Sequence, residues 1–139
     1  MRFLIGTSTA FHLRHLAVQL RNRGHQVEFH SYLPRWKTRQ YGLPDDAVVS
    51  HFRPLLPWSA LALLRGWARW LTPIRHRLFA RVDARIAAHI ARQRQPFDVF
   101  VGLSSVAVAS ADAARENGAL VLIECGISHI LNRDGAEAS

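Results

Sequence analysis

Apolar and polar positions along this chain follow two rhythms, and their succession predicts strands and helices in turn. Phe3, Leu4 and Ile5 form a continuous apolar run ending at Gly6, the pattern of a strand buried on both faces. Gly6-Thr7-Ser8-Thr9 then makes a short polar turn. From Ala10 to Arg23, Leu13, Leu16, Ala17 and Leu20 recur at helical spacing while Arg14, Arg21 and Arg23 point elsewhere, and Gly24 follows as a C-terminal stop. Val27 and Phe29 open a second strand. Strand, helix and strand in about thirty residues make a right-handed crossover unit of a parallel sheet, which binds ligands beyond the carboxyl ends of its strands.

The same pattern returns after Pro96. Phe97, Val99, Phe100 and Val101 predict a strand, Gly102-Leu103-Ser104-Ser105 its turn, and Val106 to Asn117 an Ala-rich helix stopped by Gly118. Leu120 to Ile123 reads as another buried strand running out at Glu124, Cys125 and Gly126, and Ile127-Ser128-His129 opens a further helix. Between the two halves, Leu33 to Pro44 reads as an irregular surface loop and Ala47 to Phe52 as a short third strand. Pro57 to Thr72 and the segment from Pro73 read as two helices. The second carries a core stripe of Ile74, Leu78, Val82, Ile86 and Ile90 at four-residue steps. The expected fold class is α/β, a Rossmann-like parallel sheet with helices on both faces. Three turns rich in glycine and small hydroxyls, Gly6 to Thr9, Gly102 to Ser105 and Glu124 to His129, should then share one sheet edge. Each can cap its helix or hold an anion, and together they define a candidate groove.

Length and charge refine this picture. The 139 residues, 49% apolar, suffice for one sizeable core, so a single domain is expected, incomplete at its C-terminus because the segment from Ile127 reads as a helix cut short. Cys125 is the sole cysteine, no signal peptide is expected because the apolar run after Met1 is broken at Gly6, and no stretch is long and apolar enough to span a bilayer. A cytoplasmic protein is the simplest expectation. The net charge of +8 is concentrated between Arg53 and Arg94, where nine arginines meet one acid, Asp83; elsewhere nine basic residues balance nine acids. This block reads as a basic amphipathic helical insertion. One of its helices sets Arg65 and Arg69 opposite Leu63, Leu64, Trp67, Trp70 and Leu71. The next stacks Arg77, Arg81 and Arg85, like charges that cost roughly 0.2–0.5 kcal/mol per pair in an isolated helix. In the plainest reading the tryptophans and leucines pack on the sheet and the arginines are solvated. In the second, the arginines dock on an anionic bilayer or a lipid phosphate. Nucleic acid is not expected as a partner, because the aromatics are not interleaved as stacking platforms.

Several chemistries are excluded. Gly6 stands alone where a dinucleotide fingerprint needs three glycines, and the second strand ends in His30 and Ser31 where a ribose-binding acid would stand. There is no phosphate-binding loop and no nucleophile elbow. The eight histidines show no metal-ligand spacing that the single cysteine could complete, so neither a metal nor a cofactor is expected.

The stretch from His12 to Val27, with Leu16-Ala17 and Leu20 followed by Arg23-Gly24-His25-Gln26-Val27, resembles the first helix and strand entry of retaining, family-4-type glycosyltransferases of the GT-B fold. Phe97 to Val101 is similar to that family's later strand, and the loop ending in Ser128-His129 resembles its histidine-bearing loop after the fifth strand. The resemblance implies the N-terminal, acceptor-side half of an enzyme that moves a sugar from a nucleotide-sugar to a lipid-linked or carbohydrate acceptor with retention. The donor would be held by a missing or separate C-terminal domain, leaving this chain alone inactive. It also implies residue roles. Gly6 would let the backbone approach the donor phosphates, with Thr7, Ser8, Thr9, His12, Ser104, Ser105 and Ser128 around the substrates. His129 would be catalytic, as an imidazole able to exchange a proton near neutral pH. Arg65, Arg69, Arg77, Arg81 and Arg85 would attract the inner face of the membrane or a lipid-phosphate acceptor. Glu116 and Glu124 have the family's donor-site spacing of a glutamate pair, but they fall at a helix end and a strand end of the wrong domain. Two alternatives differ in class: a membrane-docking subunit of a two-chain transferase, and a non-catalytic α/β domain that binds anionic lipid.

Overall fold

The computed structural model describes residues 1–7, 12–63, 72–104 and 106–125. Five parallel strands form one sheet: β1 (Arg2–Gly6), β2 (Gln26–Ser31), β3 (Val48–Ser50), β4 (Val99–Leu103) and β5 (Leu120–Glu124), in the order β3-β2-β1-β4-β5. This is a Rossmann-like α/β arrangement, as the two apolar-run and helix units predicted. The order reverses between β1 and β4, where Gly6 pairs with Gly102, so the crevice at the switch point opens at the carboxyl ends of these two strands.

The helices divide between the faces. Helix α1 (Leu13–Asn22) covers one side, where Leu13 and Ala17 meet Ile5, Val27, Phe29, Val99 and Val101. The chain leaves α1 through Gly24, whose φ of +85° is the left-handed conformation that the C-terminal stop requires. The opposite face is covered by α4 (Thr72–Arg92) and α5 (Ala109–Glu116), with α3 (Trp58–Leu63) preceding them. In α4 the predicted stripe is the core from its second member on: Ile74 is only half-buried, but Leu78, Val82, Ile86 and Ile90 are each at most 3% exposed, and such side chains contribute about 1.5–3 kcal/mol apiece on burial. Helix α4 lies so close to β1 that a methyl group added at Gly6 would stand 3.2 Å from Cδ1 of Ile86.

Four expectations need correction. The strand at Leu120 to Ile123 is not buried on both faces: as β5 it lies at the edge of the sheet, and Leu120 and Leu122 are exposed. The segment from Leu33 to Pro44 is not a surface loop: it holds the short helix α2 (Arg35–Arg39), and Leu33, Thr38 and Leu43 are buried. Prolines at both ends suggested irregularity, but Pro34 only precedes the first helical turn, and Thr38 closes that turn by donating to the Arg35 carbonyl at 2.8 Å. The third strand is shorter than Ala47 to Phe52, because Asp45–Ala47 forms a 3-10 turn leading into it. The helix expected from Val106 begins at Ala109. The second half of the Pro57 to Thr72 helix, with Arg65, Trp67, Arg69 and Trp70, lies outside the described residues.

The late start of α5 has a physical cause in Asp83. This residue, the one acid of the arginine block, is buried on α4 and aims at the first turn of α5. Its Oδ2 accepts from the Val108 and Ala109 N–H groups at 3.0 and 2.7 Å, and its Oδ1 accepts from the Ser110 N–H at 2.9 Å and from the Ser110 hydroxyl. A carboxylate from a neighbouring helix thus satisfies donors that α5 cannot satisfy itself, at the positive end of its dipole. Replacing Asp83→Ala leaves those buried donors unpaired and is expected to cost about 2–4 kcal/mol. A fall in the urea midpoint, with loss of α5 protection in amide exchange, is the corresponding measurement.

Candidate functional site

Of the sequence-predicted residues within the described segments, Gly6 and Thr7 line the switch-point crevice, His12 and Ser104 lie at the same sheet edge, and Arg77, Arg81 and Arg85 stand apart on α4. Gly6 ends β1 and is buried under Ile86 and Phe100, so its lack of a side chain serves the close approach of α4. Thr7, the next residue, is 2% exposed, and its N–H donates to the His30 carbonyl at 3.0 Å, extending the β1–β2 ladder. Gly102, which pairs with Gly6 across the sheet, is tighter still: an added Cβ would stand 2.5 Å from Cβ of Ala107. Ser104 lies exposed beyond β4, with its N–H donating to the Glu124 carbonyl at 3.0 Å. The three strand ends therefore do share one edge, as the turn pattern predicted. Ser8, Thr9, Ser105, Ser128 and His129 lie outside the described residues.

What the sequence did not predict at this edge is a partner for His12. His12 stands just before α1, and its Nε2 contacts Oε1 of Glu124 from the end of β5, 112 residues away. The other oxygen, Oε2, is buried and has no hydrogen-bond partner among the described residues. An imidazole and a carboxylate so paired can hold a ligand hydroxyl and orient its proton, while the unpaired oxygen calls for a donor. The crevice at the ends of β1 and β4 is nearly closed. The cavity between Thr7, Asp83, Val106 and Ser110 measures about 10 Å³, room for one water at most, so a larger ligand would lie on the open edge.

A second polar cluster lies between β2 and α4. The period of two along β2 puts Glu28 and His30 on one face, under α4, while Val27 and Phe29 face α1. Glu28 Oε2 is 2.8 Å from Nε2 of His89 and 3.5 Å from Nε2 of His30; His30 Nδ1 is 3.1 Å from Nε2 of His51, just beyond β3. Arg85 Nε–H donates to His51 Nδ1 at 3.3 Å. That last bond assigns the direction of the rest. His51 accepts at Nδ1, so its Nε2–H donates to His30 Nδ1, and His30 Nε2–H points at Glu28. Both histidines are then neutral, which matches their surroundings: burial pushes His30 down from 6.5, and burial, aided by His30 and Arg85, pushes His51 down to about 3. Hydrogen bonds from His30 and His89 hold Glu28 at about 2 against the opposing effect of its partial burial.

The expectation that the histidines form no ligand set rested on spacing along the chain. In space, the donor atoms of Glu28, His30 and His89 all lie within 4.8 Å of one another. The one signal in the sequence was the pair Glu28 and His30, two apart on a strand; His89 is a further 59 residues on. The arginine ridge also proves less uniform than its four-residue spacing implied. Arg77, Arg81 and Arg85 are all exposed, but Arg81 lies 4.8 Å over the Trp58 ring and Arg85 serves His51. Among the described residues no helix is long and apolar enough to cross a membrane.

Comparison with known proteins yields no match: no family model, no curated protein and no solved structure is significantly similar to this chain.

The titration of the second cluster makes stability depend on pH with a definite sign. Unfolded histidines take up protons near pH 6.5, whereas the folded chain resists protonation of His51 down to about pH 3. The unfolded state thus binds more protons over this window, and stability falls as pH drops from about 7 toward 3, by roughly 1.4 kcal/mol per pH unit for each histidine held neutral. Glu28 adds to the loss between its usual 4.5 and about 2, where its folded-state charge is neutralised. Urea denaturation from pH 7.5 to 4 in metal-free buffer is expected to show this slope, and His51→Gln to reduce it.

Proposed function

We propose that this chain is the N-terminal, acceptor-side half of a retaining glycosyltransferase of the GT-B type. The observation that carries the reading is the polar edge at the carboxyl ends of β1, β4 and β5, where His12 meets Glu124, with one carboxylate oxygen buried and lacking a donor among the described residues. Sugar hydroxyls are donors and acceptors at once, and an open edge bearing an imidazole and carboxylate pair suits them. The likeness of the His12 to Val27 stretch to the family's first helix and strand supports the same reading. His12 and Glu124 would orient the acceptor hydroxyl and the threonine and serine groups would line its approach. The nucleotide-sugar would come from a C-terminal domain outside these 139 residues.

This reading is testable on the isolated chain by amide NMR, titrating mono- and disaccharides alongside UDP-, GDP- and ADP-sugars. Saccharides are expected to shift Thr7, Ser104 and Glu124, nucleotide-sugars to bind more weakly, and His12→Ala to reduce saccharide affinity about tenfold, the worth of one good hydrogen bond. Shifts confined to other surfaces, or affinity untouched by His12→Ala, would overturn it.

The exposed ridge of Arg77, Arg81 and Arg85 on α4 favours a second reading, in which the domain docks on anionic lipid. Each arginine near such a surface is worth about 1 kcal/mol. Cosedimentation with vesicles containing phosphatidylglycerol, but not with pure phosphatidylcholine, is expected under this reading, together with about a tenfold or greater loss for Arg77→Glu combined with Arg81→Glu. Equal partition to both vesicle types would dismiss it.

A further inference from the structure

We infer that Glu28, His30 and His89 form a binding site for a zinc-class divalent metal ion that clamps α4 to β2. Ligand atoms about 2.0–2.2 Å from a tetrahedral metal stand about 3.3 Å from one another. Here Glu28 Oε2 is 2.8 Å from the His89 nitrogen and 3.5 Å from the His30 nitrogen, and all three atoms fall within 4.8 Å, so small side-chain rotations complete the geometry. The backbone holds two ligands on one face of a central strand, and the third comes from a helix whose position is set by its apolar stripe.

The surroundings meet the other requirements of such a site. Access runs along the partly exposed side chains of Glu28 and His89, and Glu28 opens onto a groove of about 390 Å³ at the amino ends of the strands, with Arg2, His25 and Phe97 in its wall. The Gln93 side chain, 3.1 Å from Nε2 of His89, stands where a fourth oxygen ligand or a bound water would be steadied. His30, ligating through Nε2, would donate its Nδ1–H to His51 Nε2, the outer hydrogen bond that metal-bound histidines use to fix their orientation. That reverses the tautomers of the metal-free chain and releases Arg85, which is exposed and can turn to water. Two imidazoles and one carboxylate are borderline donors. They suit Zn²⁺ and its neighbours Co²⁺ and Ni²⁺, offer too few oxygens for Ca²⁺ or Mg²⁺, and include no thiolate for Cu⁺. The site lies beside β2, three strands from the β5 that carries Glu124, and shares no ligand with the His12–Glu124 pair, so it is independent of the sugar-transfer reading and acts as a structural clamp.

The experiment is zinc titration of chelator-stripped protein, read by calorimetry and by thermal unfolding. One equivalent is expected to bind and to raise the Tm by about 5 °C or more, reversibly with EDTA. Glu28→Gln and His89→Ala are each expected to lose at least tenfold in affinity, while His15→Ala and His76→Ala, at exposed positions, leave it unchanged. The absence of a zinc-dependent rise in Tm, or binding that survives both ligand substitutions, would overturn the site. Because His89→Ala can loosen α4, the wild-type chain is also loaded with Co²⁺. Intense visible absorption of a four- or five-coordinate ion supports the site, and the weak spectrum of the hydrated ion refutes it.

Discussion

The seating of α4 on the sheet is the contact on which the other features depend. A chain that finishes β3 at one edge must cross over β2 and β1 to enter β4, and the long helix α4 is the last element of that crossing. Its apolar stripe, and the absence of a side chain at Gly6 beneath Ile86, bring it down to van der Waals contact with β1. Once this height and rotation are set, the polar residues of α4 have fixed destinations. Asp83 reaches the start of α5, Arg85 reaches His51, and His89 reaches Glu28. Close packing makes such placements collective, since a helix that rose by an ångström would lose all three at once.

Each destination solves a problem of burial. The start of α5 has no side chain of its own to cap it, and a carboxylate from α4 supplies the acceptors. Glu28 and His30 lie under the helix on a strand that is otherwise apolar on its other face, and they avoid the cost of unpaired burial by bonding to each other and to His89 and His51. The result is two separate polar regions around one core: an open edge at the carboxyl ends of β1, β4 and β5, and a partly enclosed histidine cluster beside β2. The first has the exposure that a substrate needs. The second has the convergence that an ion needs.

Much of the fold was legible because it is local. Continuous apolar runs, four-residue steps and the glycines after α1 and α5 report the period and the ends of elements, and two repeats of strand, turn and helix imply parallel neighbours with their turns on one edge. The same signals failed where burial is decided by distant parts. Leu33, Thr38 and Leu43 lie in a stretch that looks like a loop by its prolines, yet they are interior because the connection from β2 to β3 folds back over the sheet.

The sequence by itself determined the alternation of strands and helices, the class of the sheet, the core stripe of α4 and the edge where Gly6, Gly102 and Glu124 converge, since each follows from periodicity over a few residues. Only the tertiary structure decided the partners: His12 with Glu124, Asp83 with the start of α5, and Glu28 and His30 with His89. No local pattern encodes these pairs, because each joins residues from separate elements whose meeting is set by the packing of α4 and the order of the strands.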